Sequence, residues 1–204
     1  MLENGKLFLL RLLVLTSLLA MAVPVWGLSP ATYKDGDKII NRDQIVQAGT
    51  VLAYAGAKKL EDFLQRTVES GTLTEEDLFD EQYQEKVVDD ATFYSNRFND
   101  HFDQNLPELF QPFFDSDKVL FAFAMDRNGY VPTHLPDLVE LSDRILEDEI
   151  TKSILGDRRV VHLEIYPKQQ AGKKQAVFDF SSPVSIDGQL WGYFRTGLIF
   201  ELGR

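Results

Sequence analysis

Residues 175–200 read QAVFDFSSPVSIDGQLWGYFRTGLIF, and this stretch decides the fold. Two apolar runs, 175–186 and 190–200, flank Asp187-Gly188, a pair that tolerates the positive φ of a tight antiparallel turn. Alternation along the first run places Val177, Asp179 and Ser181 on one side. The same count places Trp191, Tyr193 and Arg195 together on the second. A cation on an otherwise aromatic strand face needs a partner. Two candidates are in view, an internal acid such as Asp179 or the carboxylate of a ligand.

Working outward, residues 160–166 supply a third strand, joined to the hairpin through Ala171-Gly172. Upstream, KVLFAFAM (118–125) is a short apolar strand followed by Asp126-Arg127-Asn128-Gly129 and a second run, 130–134. Asn-Gly is the strongest short hairpin signal. Leu138, Leu141, Ile145, Leu146 and Ile150 then recur at helical spacing and predict a helical insertion. Nearer the N-terminus, Asn41 and Gln44 have capping-box spacing, and Ile45, Ala48, Leu52, Gly56, Leu60 and Leu64 trace one face of a long helix. Ser70-Gly71 ends it. The small residues Ala53, Ala55, Gly56 and Ala57 predict close approach of another surface, either a sheet or a second copy of the helix.

Thr74 to Asp77 repeats the capping-box spacing and starts a short helix. Residues 89–116 carry Phe93, Tyr94, Phe98, Phe102, Phe110, Phe113 and Phe114, an aromatic density that suits a core. Pro107 and Pro112 are expected to divide this region into two short helices, or a helix and a loop. Together these elements predict an α/β (α+β) chain. A five-stranded antiparallel sheet carries a helical insertion, and a long N-terminal helix covers one face.

Residues 1–27 have a positive start (Lys6, Arg11), a dense apolar run and Val25-Trp26-Gly27 at the end, the pattern of a secretory signal cut after Gly27. The competing reading is an uncleaved inner-membrane anchor over residues 7–26. Both place the remainder outside the cytoplasm, in the periplasm or secreted. Residues 28–40 read as a linker and 41–204 as one domain. Across the 204 residues, 32 Asp and Glu outweigh 21 Lys and Arg for a net charge of -11, which argues against nucleic acid as a partner. The absence of Cys excludes disulfides, thiolate metal sites, iron–sulfur clusters and covalent c-type haem. No glycine-rich phosphate loop occurs, and Ser181-Ser182-Pro183 lacks the strand–turn–helix setting of a nucleophile elbow. His162 and Glu164 share a strand face without the further ligands a metal needs. No enzyme activity, metal or cofactor is expected.

Four blocks, GTLTEEDLFDEQY (71–83), FAMDRNGYVPTHL (123–135), DRILEDE (143–149) and VFDFSSPVSIDGQLWGYFRTG (177–197), occur in this order. Over residues 44–200 they resemble the extracytoplasmic single-Cache-like, PAS-like sensor modules of bacterial methyl-accepting chemotaxis receptors. The resemblance implies a PAS/Cache-like fold that binds a small molecule between its sheet and segments 130–146. It also implies pairing of the long helix with its copy in a homodimer. Receptors of that kind continue into a second membrane helix and a cytoplasmic coiled coil, whereas this sequence stops at Arg204. Output is therefore expected through a separate membrane receptor or sensor kinase. Where some relatives carry histidine near the last strand, Gln189-Leu190-Trp191-Gly192 stands here. A non-covalent haem or metal sensor would have to rely on His134 or His162. The candidate ligand-binding residues are Tyr130, Pro132 and His134, one row on a regular strand, with Arg144, Tyr166, Asp179, Trp191, Tyr193 and Arg195. The opposing reading is an interaction subunit with no small ligand.

Overall fold

The computed structural model describes residues 32–133, 141–157, 159–170 and 172–202. The signal segment at 1–27 lies outside these residues. Asn41 opens helix α1 (Arg42–Glu69) as expected. Its side chain accepts from Gln44 N–H at 2.8 Å while its own N–H donates to Gln44 Oε1 at 3.1 Å. At the other end Gly71 takes φ +71°, and Thr72 N–H and Gly71 N–H donate to Thr67 O and Val68 O. These two bonds occupy carbonyls that the last turn would leave free.

The buried stripe of α1 is Ile45, Gly49, Ala53, Gly56, Ala57, Leu60, Phe63, Leu64 and Thr67. Ala48, counted on the apolar face from spacing, is exposed, and Gly49 takes its place. Close packing is the reason. A Cβ on Gly49 would sit 2.1 Å from the Phe180 ring, and one on Gly56 2.1 Å from the Phe194 ring. The small residues therefore seat the helix on the sheet, while Val51 and Ala55 face outward.

The main sheet is antiparallel and has six strands rather than five. Its members are β1 (Thr32–Asp35), β2 (Lys38–Asn41), β5 (Val119–Asp126), β8 (His162–Gln170), β9 (Lys173–Ile186) and β10 (Gln189–Leu202). The order is β2-β1-β10-β9-β8, with β5 also paired to β10. Strand β10 thus holds β9 along one edge and β5 then β1 along the other. The segment read as a linker contributes β1 and β2, because Tyr33 is fully buried against Phe178 and anchors it.

Of the run 130–134, residues 130–133 do not supply the fifth strand, and His134 lies outside the described residues. Gly129 makes the expected turn, with φ +84° and its N–H on Asp126 O at 3.0 Å. The Asp126 carboxylate then accepts from the N–H groups of Asn128 and Tyr130 and turns the chain off the sheet. Only β6 (Tyr130–Val131) follows, paired with β7 (Arg144–Ile145) in a separate two-stranded sheet. The insertion differs as well. Leu138 lies outside the described residues, Ile145 is in β7, and the helix there is α4 (Glu149–Ile154). Asp143 at φ +60° interrupts the helical period, and Asp148 restarts it by accepting from Ile150 N–H and Thr151 N–H.

Helix α2 (Glu75–Leu78) carries the capping box at Thr74. Strands β3 (Gln84–Val88) and β4 (Ala91–Ser95) form a hairpin absent from the sequence reading. Its turn uses Asp89 and Asp90, both at positive φ, a conformation that Asp tolerates without announcing it as Asn-Gly does. Helix α3 (Asn99–Phe110) runs through Pro107 without a break and passes into a 3-10 turn (Gln111–Asp115). The α1 face of the sheet buries Leu60, Phe98, Phe102, Phe110, Trp191 and Phe194. The opposite face buries Phe121, Phe123, Met125, Val177 and Tyr193 beneath Ile154 of α4. Among the described residues no helix is long and apolar enough to cross a membrane.

Candidate functional site

The face away from α1 carries its polar residues in register. One row crosses the sheet from His162 on β8 through Ser181 on β9 and Arg195 on β10 to Phe123 on β5. The next runs Glu164, Asp179, Gly197 and Phe121. Strand alternation fixes this arrangement, and the absence of a side chain at Gly197 lets the Phe121 ring lie over the strand, 2.3 Å from where a Cβ would be. Arg195 donates from Nη2 to Asp179 Oδ2 at 2.7 Å and from Nε to Oδ1 at 3.0 Å. Both side chains are almost wholly buried, at 6% and 0% exposure. Arg195 also lies 5.7–5.8 Å from the ring centres of Phe123 and Phe121.

Helix α4 roofs this pair. Arg195 Nη1 donates to Thr151 Oγ1 at 3.0 Å, and Thr151 donates onward to Asp148 Oδ2 at 2.7 Å. The turn after α4 is pinned by Tyr193, whose hydroxyl accepts from Gly156 N–H at 2.8 Å. Burial works against the Arg195 charge, but the Asp179 carboxylate more than offsets it and holds the guanidinium above its ordinary range. Burial opposes the Asp148 charge too, yet Arg195 and the Thr151 hydrogen bonds keep its carboxyl below the ordinary value. Burial drives the Tyr166 phenol well upward, so it remains a donor, 3.4 Å from Asp179 Oδ2. Ser181 Oγ is buried, with no hydrogen-bond partner among the described residues.

Of the nine residues singled out from sequence, the structure brings Tyr166, Asp179, Tyr193 and Arg195 together here. Trp191 is separated from them. A β-bulge between Leu190 and Gly192 shifts the alternation, and the indole points into the α1-side core, donating to Leu78 O at 2.9 Å. Tyr130 is in that core as well, its hydroxyl 2.6 Å from Asn99 Oδ1. Because β6 ends at Val131, the expected row of Tyr130, Pro132 and His134 leaves the strand at Pro132. Pro132 is buried, and His134 lies outside the described residues. Arg144 stacks 4.2 Å from the Phe93 ring centre and donates to Thr92 O, so it fastens the β3–β4 hairpin. Thr151 and Asp148 had no signal in the sequence beyond a helix N-cap pattern. Ser181 was visible through its alternation with Asp179, and otherwise only as part of the Ser181-Ser182-Pro183 run set aside as a nucleophile elbow.

His162, also on this face, sits 2.5 Å from Asp157 Oδ2 at Nδ1 and 3.1 Å from Glu164 Oε1 at Nε2. Among the described residues no group of three or more His, Cys, Asp and Glu is arranged to hold a metal.

A second polar knot lies at the β5 turn, where Tyr83 donates to Asp126 and accepts from Asn128 Nδ2 at 2.9 Å. Burial pushes the Asp126 carboxyl up to about 6, against hydrogen bonds from Tyr83, Tyr130 N–H and Asn128 N–H. The folded chain therefore holds this proton above the pH, near 4, at which an unfolded Asp releases it. Its stabilisation is complete below about pH 4 and is lost as pH rises through about 6. Thermal melts of wild type and Asp126→Asn from pH 4 to 8 are expected to differ in slope, with the variant flatter across this window. Parallel curves would refute it.

No protein-family profile matches the chain, and no curated protein matches it. Among the solved structures that resemble it are two of one chemoreceptor. One is the ligand-binding domain of the Campylobacter jejuni chemoreceptor Tlp3 in complex with 4-methylisoleucine, at 16% identity and a TM-score of 0.39. That alignment covers 76% of this chain and 59% of the other. The second is the sensory domain of the same chemoreceptor with isoleucine bound, at 15% identity and a TM-score of 0.33, covering 76% and 60%. The chain thus spans about six-tenths of the length of the structures it matches.

Proposed function

We propose that this chain is an exported sensory domain that binds a small molecule on the sheet face beneath α4 and passes its occupancy to a membrane-bound receptor or sensor kinase. The observation that carries the reading is a polar cluster in which buried Arg195, Asp179 and Thr151 meet half-buried Asp148, set among Phe121, Phe123, Tyr166 and Tyr193. A core that needed only stability would gain little from it, because apolar residues of similar volume serve as well or better. The cluster also lies against the helix and turn of residues 149–157, a short cover that a ligand could reposition. The in-order sequence blocks of chemotaxis-receptor sensor modules support the same reading. Export follows from the signal pattern at 1–27, and the outward face of α1 (Val51, Ala55) offers a surface for a second copy.

The test is a thermal-shift screen of the exported chain with a broad panel of small metabolites. At saturation a ligand stabilises by RT ln(1 + [L]/Kd), about 2.7 kcal/mol at a hundredfold excess over Kd, and moves Tm by several degrees. Arg195→Lys keeps the charge but loses the planar fork, and is expected to abolish the shift while circular dichroism stays native. A panel that moves nothing, or a shift indifferent to Arg195→Lys, would remove the site. A stoichiometric protein partner recovered without any small ligand would favour an interaction subunit instead.

A further inference from the structure

We infer that the molecule bound on this face is uncharged and engages the protein through a carbonyl oxygen of the amide type; this rests on the site assignment just made. The inventory of donors leads there. Ser181 Oγ is 1% exposed and lies between His162 and Arg195 in the same cross-strand row, with no hydrogen-bond partner among the described residues. Of the five N–H groups of a guanidinium, Arg195 commits Nε and one on Nη2 to Asp179 and one on Nη1 to Thr151. Among the described residues, one N–H on each terminal nitrogen is left over. The groups awaiting a partner are thus donors beside a hydroxyl, and they call for an acceptor.

The charge of that acceptor follows from its surroundings. Arg195 is already neutralised by Asp179, the Asp148 carboxylate acts on it through Thr151, and Glu164 stands opposite Asp179 on β8. Lys168 shares this side of β8 but sits two rows beyond Glu164, and Arg159 is taken up by Asp157. An incoming carboxylate would meet one shared guanidinium and three carboxylates in a poorly hydrated site, where like charges repel strongly. A carbonyl oxygen takes the same hydrogen bonds without that repulsion. An amide N–H₂ would in addition find acceptors in Asp179 and Glu164.

The experiment is ligand-observed saturation-transfer NMR on the whole chain with matched pairs: acetamide and acetate, propionamide and propionate, each at millimolar concentration, with glycine as the zwitterionic control. The amides are expected to bind and their carboxylates not. Ser181→Ala is expected to weaken amide binding about tenfold, the worth of one hydrogen bond. The same substitution removes an unpartnered buried hydroxyl, so the unliganded variant is expected to melt no lower than wild type, which separates loss of binding from loss of fold. Binding of a carboxylate or glycine in preference to its amide would overturn the ligand class and leave the sensor reading standing. Amide binding indifferent to Ser181→Ala would overturn the placement. If neither member of any pair binds, the class falls, and the wider thermal-shift panel decides the sensor reading on its own.

Discussion

Asp179→Ala is expected to destabilise the chain by about 3–5 kcal/mol, because it strands the Arg195 guanidinium in the sheet face with its charge uncompensated. Thr151 Oγ1 would be its remaining side-chain partner. Replacing both members of the pair at once, as Asp179→Leu with Arg195→Met, is expected to restore most of that loss and leave a stable protein without the binding chemistry. Denaturant unfolding of the three proteins measures the difference. If the single variant costs less than about 1 kcal/mol, the pair behaves like an exposed one, and the buried description of the site is incorrect.

Trp191→Ala carries an expected cost of the same order, about 3–5 kcal/mol, for a different reason. The indole is 1% exposed and packs on Phe98 and Phe102, so its removal opens a cavity where α3 meets the sheet. It also deprives Leu78 O of its donor, loosening α2. Trp191→Phe keeps a ring but not the N–H, and is expected to cost less than Trp191→Ala; denaturant titration of both apportions packing and hydrogen bond. Ligand binding is expected to survive Trp191→Phe, since Trp191 lies on the opposite face from Arg195.

The elements most legible in the sequence were those set by local chemistry. Asn41 with Gln44 and Thr74 with Asp77 cap helices as their spacing states, and Asp187-Gly188 turns β9 into β10. Alternation correctly joined Asp179 to Arg195 and Tyr193. It failed at Trp191, because a bulge adds one residue to a strand and nothing in the composition of Leu190-Trp191-Gly192 declares it. It failed again after Gly129, where a buried carboxylate, not the turn residues, decides whether the chain stays in the sheet. The helical count through Leu138 and Ile150 mixed residues of a two-stranded ladder with those of α4, since a period of three to four arises by chance over so short a span. Long-range partners such as Tyr33 with Phe178 leave no mark within the segment that supplies them.

Strand β1 lies antiparallel to the last residues of β10, with Tyr33 opposite Leu202 and Lys34 opposite Glu201. Residues 33 and 202 are therefore neighbours, about one strand spacing apart. A tension that pulled the chain outward at both of these residues would act across the ladder and break its hydrogen bonds one after another, like a zip opened from its end. The same load drawn along the strand axes would have to break them all together. Mechanically, this corner is the weak end of a sheet whose interior strands remain clamped on both edges.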